Sequence, residues 1–224
     1  MKEFKRDKVT LLHADCMDYM KDIPDNHFDL AIVDPPYGIG NIIRHSKGGN
    51  QKADNFHFDD NKDMSWNDNI PNPEYFIELQ RVSKNQIIWG GNYFSHLLSS
   101  SRCWIVWDKE NGGSSFADAE LAWTSFDKIV SIFKFRWHGM VQGNMKNKEI
   151  RMHPTQKPVQ LYKWLLKNYA KPTDRVIDTH LGSGSSAIAA HDFGCEFVGM
   201  EIDEEYFDAA VKRFDNETRQ QKLF

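Results

Sequence analysis

Short apolar runs closed by turn residues alternate along this chain with stretches of helical periodicity. Val9-Thr-Leu-Leu-His13 reads as a buried strand, Asp15 opens a short helix, and Pro24-Asp-Asn26 turns the chain into a second strand, Phe28-Asp-Leu-Ala-Ile-Val33. That strand runs directly into Asp34-Pro-Pro-Tyr-Gly38, where two prolines force the chain out of the sheet. Residues 39–69 are polar with little periodicity, a long loop of the kind that usually carries function. Asn72 and Pro73 have the form of an N-cap and first helical residue, and Phe76, Leu79 and Val82 give that helix one apolar face. Gln86-Ile-Ile-Trp89 is a strand ending in Gly90-Gly91. Three more follow closely, at 103–107, 119–123 and 129–133, which predicts an antiparallel portion with the Ala119 strand and its neighbour as its edge.

The final third reads as one unit, and the chain has no internal repeats. A helix from about Pro158 to Tyr169 precedes a strand at 175–178, a turn Leu181-Gly-Ser-Gly184 and a helix at 185–193. A strand at 196–201 and a helix capped by Asp203 follow. Strand, turn, helix, strand and helix in that order predict a doubly wound α/β fold. The expectation is a single domain over residues 1–224 with a mixed, seven-stranded sheet and the last helix near the first strand.

Composition narrows the function classes. With 40% apolar residues among 224, the chain can bury a sizeable core. No apolar run approaches a membrane span, and the charged start Met1 to Lys8 lacks the apolar stretch of a secretory signal, so a cytoplasmic location is expected. Cys16, Cys103 and Cys195 are odd in number and widely spaced, and the nine histidines show no ligand spacing; no metal site is expected. A net charge of −4 counts against nucleic acid as partner unless basic residues cluster. Two clusters exist: Arg44, His45, Lys47 and Lys52 in one segment, and Lys134, Arg136, His138, Lys146, Lys148 and Arg151 in 134–152. They read equally as solvated loop charge or as phosphate contacts, with Trp66 or Trp137 as a wedge or stacking residue.

Gly182-Ser-Gly184-Ser-Ser-Ala187 follows a strand and opens a helix, and Glu201 ends the next strand, where an acid meets ribose hydroxyls. A dinucleotide or S-adenosylmethionine satisfies this pattern; Asp178, just before the turn, leans to the second because it can meet a methionine ammonium. Asp34-Pro-Pro-Tyr37 leans further the same way. Asp34 and the Pro35 carbonyl can each accept a proton of an amino group on a flat heterocycle, Pro36 stiffens the turn, and the Tyr37 ring can stack on the base. That would be catalysis by positioning.

At these residues the chain resembles the DNA methyltransferases that methylate exocyclic amino groups, in the permuted β class whose catalytic motif precedes the cofactor motif. Asp34-Pro-Pro-Tyr-Gly38 matches the catalytic motif, and His153-Pro-Thr-Gln-Lys-Pro158 the cofactor-side motif. Asp178-Thr-His-Leu-Gly-Ser-Gly184 matches D-P-F-x-G-S-G, and Glu201 the ribose acid. His13-Ala-Asp-Cys16 resembles G-D-C, which puts Asp15 near the cofactor adenine. The resemblance implies a Rossmann-like fold with circularly permuted motif order and transfer of a methyl group from S-adenosylmethionine to N6 of a flipped adenine in double-stranded DNA, with cytosine N4 as the alternative. It implies catalytic roles for Asp34, Pro35, Pro36 and Tyr37. Cofactor contacts fall to Asp15, Cys16, Asp34, His153, Thr155, Gln156, Lys157, Asp178, Leu181, Gly182, Ser183, Gly184 and Glu201. Thr179-His180 departs from the usual Pro-Phe, and His180 reads as a packing or hydrogen-bonding residue. No separate recognition domain stands out; only residues 39–69 and 134–152 remain to face DNA, so a homodimer or a short recognition site is expected.

Overall fold

The computed structural model describes residues 2–40, 65–112, 117–138 and 141–219. Its strands are β1 (Lys2–Arg6), β2 (Val9–His13), β3 (Phe28–Val33), β4 (Ser83–Trp89), β5 (Trp104–Asp108), β6 (Ala119–Thr124), β7 (Ser131–Lys134), β8 (Trp137–His138), β9 (Val141–Gln142), β10 (Arg175–Asp178) and β11 (Glu196–Glu201). The α-helices are α1 (Cys16–Lys21), α2 (Pro73–Val82), α3 (Val159–Tyr169), α4 (Ser185–Phe193) and α5 (Glu204–Arg219).

Nine strands form the main sheet, in the order β1-β2-β11-β10-β3-β4-β6-β5-β7. Seven were expected. The charged segment Lys2–Arg6 was not read as a strand, yet it turns back through Asp7, whose φ is 52°, and pairs antiparallel with β2. The antiparallel portion exists, but β6 is interior to it, antiparallel to both β4 and β5; the edge is β7, parallel to β5. β2, β11, β10, β3 and β4 run parallel to one another.

Alternate residues of the central strands feed two cores, as a strand's period of two requires. Leu11, Leu30, Ile32, Ile87 and Trp89 face α3, α4 and α5 through Leu165, Ile188 and Phe214. Leu12, Ala31, Val33, Ile88 and Ile177 face Phe76 and Leu79 of α2 and Met20 beside them. Both faces are thus covered, which explains why these strands read as nearly continuous apolar runs. α5 returns to the first strands: Arg6 hydrogen-bonds the Asp215 carbonyl at 3.2 Å, and Lys2 contacts Asp208 at 3.0 Å.

The connection β10–α4–β11 departs to one side of the sheet and β3–α2–β4 to the other. The point between β10 and β3 is therefore the topological switch point, where open α/β sheets bind ligands beyond the carboxyl ends of their strands.

Candidate functional site

Four acids line that carboxyl edge in sheet order. Asp15 follows β2, Glu201 ends β11, Asp178 ends β10 and Asp34 follows β3. Strand ends fix their backbones, and the turns after them fix their side chains. Asp15 caps α1, accepting from the Met17 amide at 2.7 Å. Glu201 accepts from the amides of Gly182 (2.9 Å) and Asp203 (3.0 Å), so the acid and the glycine turn hold each other. Asp178 is 1% exposed and accepts from Ser186 Oγ at 2.6 Å and the His180 amide at 3.0 Å. Burial pushes its carboxyl up to about 7, against both hydrogen bonds. Gly182 and Gly184 have φ of 53° and 76°, the left-handed region that glycine enters without strain; Gly184 is the N-cap of α4.

The other expected cofactor residues divide. Leu181 is buried and its amide bonds the Met200 carbonyl at 2.7 Å. Ser183 offers its carbonyl to Arg213 Nη1 at 3.0 Å. His153 lies beside Gly182, its Nδ1 3.1 Å from Thr155 Oγ1 and its ring edge-on to Tyr206 at 4.4 Å. Gln156 holds its own loop together, accepting from the Met152 amide and donating to the Ile150 carbonyl. Cys16 opens α1, and burial followed by the charge of Asp15 pushes its thiol up to about 12, so it carries no thiolate at neutral pH. Thr179 and His180 form a chain with Tyr75: Tyr75 Oη lies 2.7 Å from Thr179 Oγ1, which lies 2.9 Å from His180 Nδ1. Burial lowers His180 to about 4, so the imidazole is neutral and serves as packing and hydrogen-bonding residue.

Lys157 lies at the Asp34–Tyr37 corner. Its Nζ is 2.6 Å from Asp34 Oδ2 and 3.0 Å from Glu120 Oε2, and it donates to Tyr37 Oη at 3.0 Å. Tyr37 Oη in turn donates to Asp34 Oδ1 at 2.6 Å. The Lys157 side chain is 3% exposed. Burial opposes its charge, but Asp34 and Glu120 outweigh that and hold the ammonium above its ordinary range. Burial works against Glu120 too, and Lys157 and Lys109 overcome it, drawing its carboxyl down to about 2. Asp34 is shifted up, by burial first and by the negative charge of Glu120, against the pull of Lys157. Asp34, Glu120 and Lys157 are coupled, and their protons belong to the cluster as a unit.

The Tyr37 ring stacks on Tyr93 at 5.0 Å and 18°, and Tyr93 is 42% exposed. Gly90, at φ 70°, lies against the same ring; a β-carbon there would overlap Tyr37 Cε1 and Cδ1. The Tyr37 amide donates to Asn67 Oδ1 at 2.9 Å, and Pro35 is buried. Glu120, Lys109 and Tyr93 were not anticipated. The available signal for Glu120 was a carboxylate inside the otherwise apolar strand 119–123.

The DNA-facing expectations are only partly described. Arg44, His45, Lys47 and Lys52 lie outside the described residues. Trp137 is no wedge: it is 4% exposed, and its Nε1 donates to the Gln156 carbonyl at 3.0 Å. Trp66 is half-buried, its ring 5.5 Å from that of His153. Arg136, Lys146 and Lys148 are exposed, and Lys134 approaches Asp108 at 3.6 Å.

An edge of four carboxylates suits a ligand with positive charge and repels a pyrophosphate. S-adenosylmethionine, with its sulfonium and ammonium, fits these donors and acceptors; a dinucleotide does not. Among the described residues no group of three or more His, Cys, Asp and Glu side chains could hold a metal.

A family model described as DNA methylase matches residues 129–212. The chain is 27% identical to the type II methyltransferase M.HinfI of Haemophilus influenzae, over 91% of this chain and 67% of that protein. It is 25% identical to the DNA adenine methyltransferase YhdJ of Escherichia coli K12, over 95% and 84%. The crystal structure of an M1.HpyAVI–SAM complex superposes with a TM-score of 0.54 at 20% identity, covering 92% of this chain and 99% of that one. No described helix is long and apolar enough to cross a membrane.

Proposed function

We infer that this chain is one of the DNA methyltransferases that modify exocyclic amino groups, from its DNA methylase match over residues 129–212 and its similarity to M.HinfI and YhdJ. We propose that it methylates N6 of adenine in duplex DNA, using S-adenosylmethionine. The observation that carries this reading is the placement of Asp34 and Tyr37 at the switch point, next to Asp178 on the adjoining strand. When bound, S-adenosylmethionine supplies a methyl group already activated by its sulfonium. Asp178 meets the cofactor's ammonium, Glu201 its ribose hydroxyls, and Asp15 and Cys16 flank the adenine end. Leu181, Gly182, Ser183 and Gly184 let the backbone approach, with His153 and Thr155 beside them. Gln156 acts through the loop it closes.

At the other end, the Tyr37 ring supports a flipped base. Asp34 accepts one amino proton's hydrogen bond and the Pro35 carbonyl the other, with Pro36 fixing the turn. The nitrogen lone pair is then aimed at the methyl group. S-adenosylmethionine would supply the methyl group by breaking its S–CH3 bond and would leave as S-adenosylhomocysteine, and Asp34 is placed to accept the proton that the nitrogen would shed. Adenine rather than cytosine is favoured by the Asp-Pro-Pro-Tyr motif and by the stated activity of YhdJ.

One domain carries both ends, and the exposed Arg136, Lys146 and Lys148 of the second basic segment face DNA. Two copies on one duplex would enlarge that small surface. Support for pairing comes from the edge strand β7 and the residues before it, where Ile129, Val130 and Ile132 are 81%, 53% and 58% exposed. Sedimentation of the protein and of Ile132→Lys reads this: a monomer in both, with and without DNA, removes the pair.

The functional test is transfer of labelled methyl from S-adenosylmethionine to unmethylated duplex DNA, followed by digestion to nucleosides and mass spectrometry. N6-methyladenine is expected. N4-methylcytosine would replace the base but keep the chemistry; no label in any DNA would overturn the reading.

A further inference from the structure

We propose that Lys157 reads the target base, donating a hydrogen bond to the ring nitrogen beside the amino group that is methylated, with Glu120 as its positioning residue. The proposal rests on the methyltransferase reading above.

Asp34 Oδ2 and Lys157 Nζ stand side by side, 2.6 Å apart, an obligate acceptor next to an obligate donor. The edge of adenine that carries the target nitrogen has the complementary order. Its amino group donates and the neighbouring ring nitrogen accepts, about 2.3 Å apart across two C–N bonds of ~1.33 Å. Cytosine has the same order. Guanine and thymine reverse it, with a carbonyl oxygen beside a ring N–H, so each would set acceptor against Asp34 and donor against Lys157. A wrong partner of that kind leaves buried polar groups unpaired, which is how sites discriminate strongly. Asp34 alone selects for an amino group; the pair selects for an amino group next to a bare ring nitrogen.

The surroundings keep Lys157 able to do this. A lysine with 3% of its side chain exposed loses its proton unless charge holds it. Glu120 approaches from strand β6 at 3.0 Å and is itself held by Lys109 at 2.5 Å. When Asp34 exchanges its bond to Lys157 for one to the entering amino group, Lys157 keeps Glu120 as counter-ion and stays charged. An ion pair serving the fold alone would need one carboxylate; Lys157 has two, and Lys109 supports the second from its far side. The corner meets solvent at Asp34, whose side chain is 12% exposed, and Tyr93 on the outer side of Tyr37 is 42% exposed.

The test compares target bases and enzymes together. The methylated position is first located in DNA that the wild-type protein has modified. Duplexes are then made with adenine or 1-deazaadenine there; the analogue keeps the amino group and replaces the ring nitrogen by C–H. The wild type is expected to lose about ten- to a hundredfold in kcat/KM on the analogue, the size of a hydrogen bond from a charged donor. Lys157→Met is expected to lose a similar factor on adenine and little more on the analogue. Any intrinsic change in amine reactivity affects both enzymes alike, so the ratio isolates the contact. Glu120→Gln should shrink the analogue penalty without abolishing cofactor binding. S-adenosylhomocysteine binding checks each fold. If Lys157→Met fails that check, Lys157→Met with Glu120→Gln removes the stranded charge and is read instead. An analogue penalty equal in wild type and lysine variant overturns the proposal. If the methylated base is cytosine, 3-deazacytosine takes the analogue's place with the same expectations. Absence of any methylation by the wild type is a failure of the functional reading, and is seen before the analogue is used.

Discussion

Asp178 and Asp34 stand at the ends of neighbouring parallel strands, β10 and β3, yet the protein treats them oppositely. Asp178 is supplied only with neutral donors, Ser186 Oγ and the His180 amide, and burial leaves its carboxyl near 7. Asp34 is given a full cation, Lys157, a second carboxylate beyond it, and a phenol. In the proposed function the first would take a ligand's positive charge, and the second would exchange its own cation for a neutral amino group. One edge of one sheet would then hold a cation receptor and a neutral-base receptor, separated by which neighbours the chain supplies.

The largest effect should come from Asp34→Ala. The variant loses the acceptor for the target amino group, about ten- to a hundredfold in rate from that bond alone, with misaimed attack adding to it. Methyl transfer is expected to fall by more than about a hundredfold while S-adenosylhomocysteine binding stays within a few fold. Near-normal turnover by a folded variant would erase the contrast between the two acids.

Asp178→Asn should reverse the pattern, weakening S-adenosylhomocysteine about ten- to a hundredfold at pH 8. The wild type binds the ligand's ammonium best as a carboxylate, so its affinity should rise through pH 7, by up to about tenfold per unit below that. The variant's profile should be flat, and calorimetry at several pH values decides it. The stability of the free protein carries the same sign. A carboxyl raised from 3.8 to about 7 contributes stability that is complete below 3.8 and lost as pH rises through 7. The free variant should therefore melt above the wild type at pH 8, and the gap should close toward pH 4.

The cation receptor was far more legible in the sequence than the base receptor. β10, α4, β11 and α5 are consecutive, and their acids and glycines lie within 26 residues, from Asp178 to Asp203, so local pattern sufficed. The base receptor joins Asp34 to Lys157, whose bond to Tyr37 spans 120 positions, and to Glu120 on a strand whose place in the sheet periodicity does not encode. Reading β6 as an edge rather than the partner of β4 hid the reason Glu120 reaches Lys157. Lys157 was grouped with the cofactor residues because it follows His153 in sequence; the turn at Gln156 sends the two side chains to different ends of the site. β1 escaped notice because its five residues include three cations and one aromatic, Phe4. It is held by pairing with β2, by ion pairs from Lys2 and Arg6 to α5, and by a single apolar contact, Phe4 on Phe214.

Tyr37→Phe is the smallest and most discriminating test of the contrast. The sequence gives weight to the ring, as a platform for the base; the structure adds a hydroxyl that donates to Asp34 and accepts from Lys157. Removing it deletes two bonds, but neither partner is stranded. Asp34 keeps Lys157 at 2.6 Å, and Lys157 keeps both carboxylates. A hydrogen bond whose partners remain satisfied is worth about 0.5–1.5 kcal/mol, so kcat should fall roughly two- to tenfold. KM for DNA should hardly move, because the ring is intact, and S-adenosylhomocysteine binding should not change, because Asp178 and its turn are untouched. Tyr37→Ala removes the platform as well, about 1–3 kcal/mol of stacking, and should raise KM together with the loss in kcat. Steady-state kinetics of the two variants side by side separate the contributions. A phenylalanine variant as impaired as the alanine one would move the role of Tyr37 from its ring to its hydroxyl. One indistinguishable from wild type would make the bonds to Asp34 and Lys157 bystanders, and would leave Lys157 alone to set the charge of the corner.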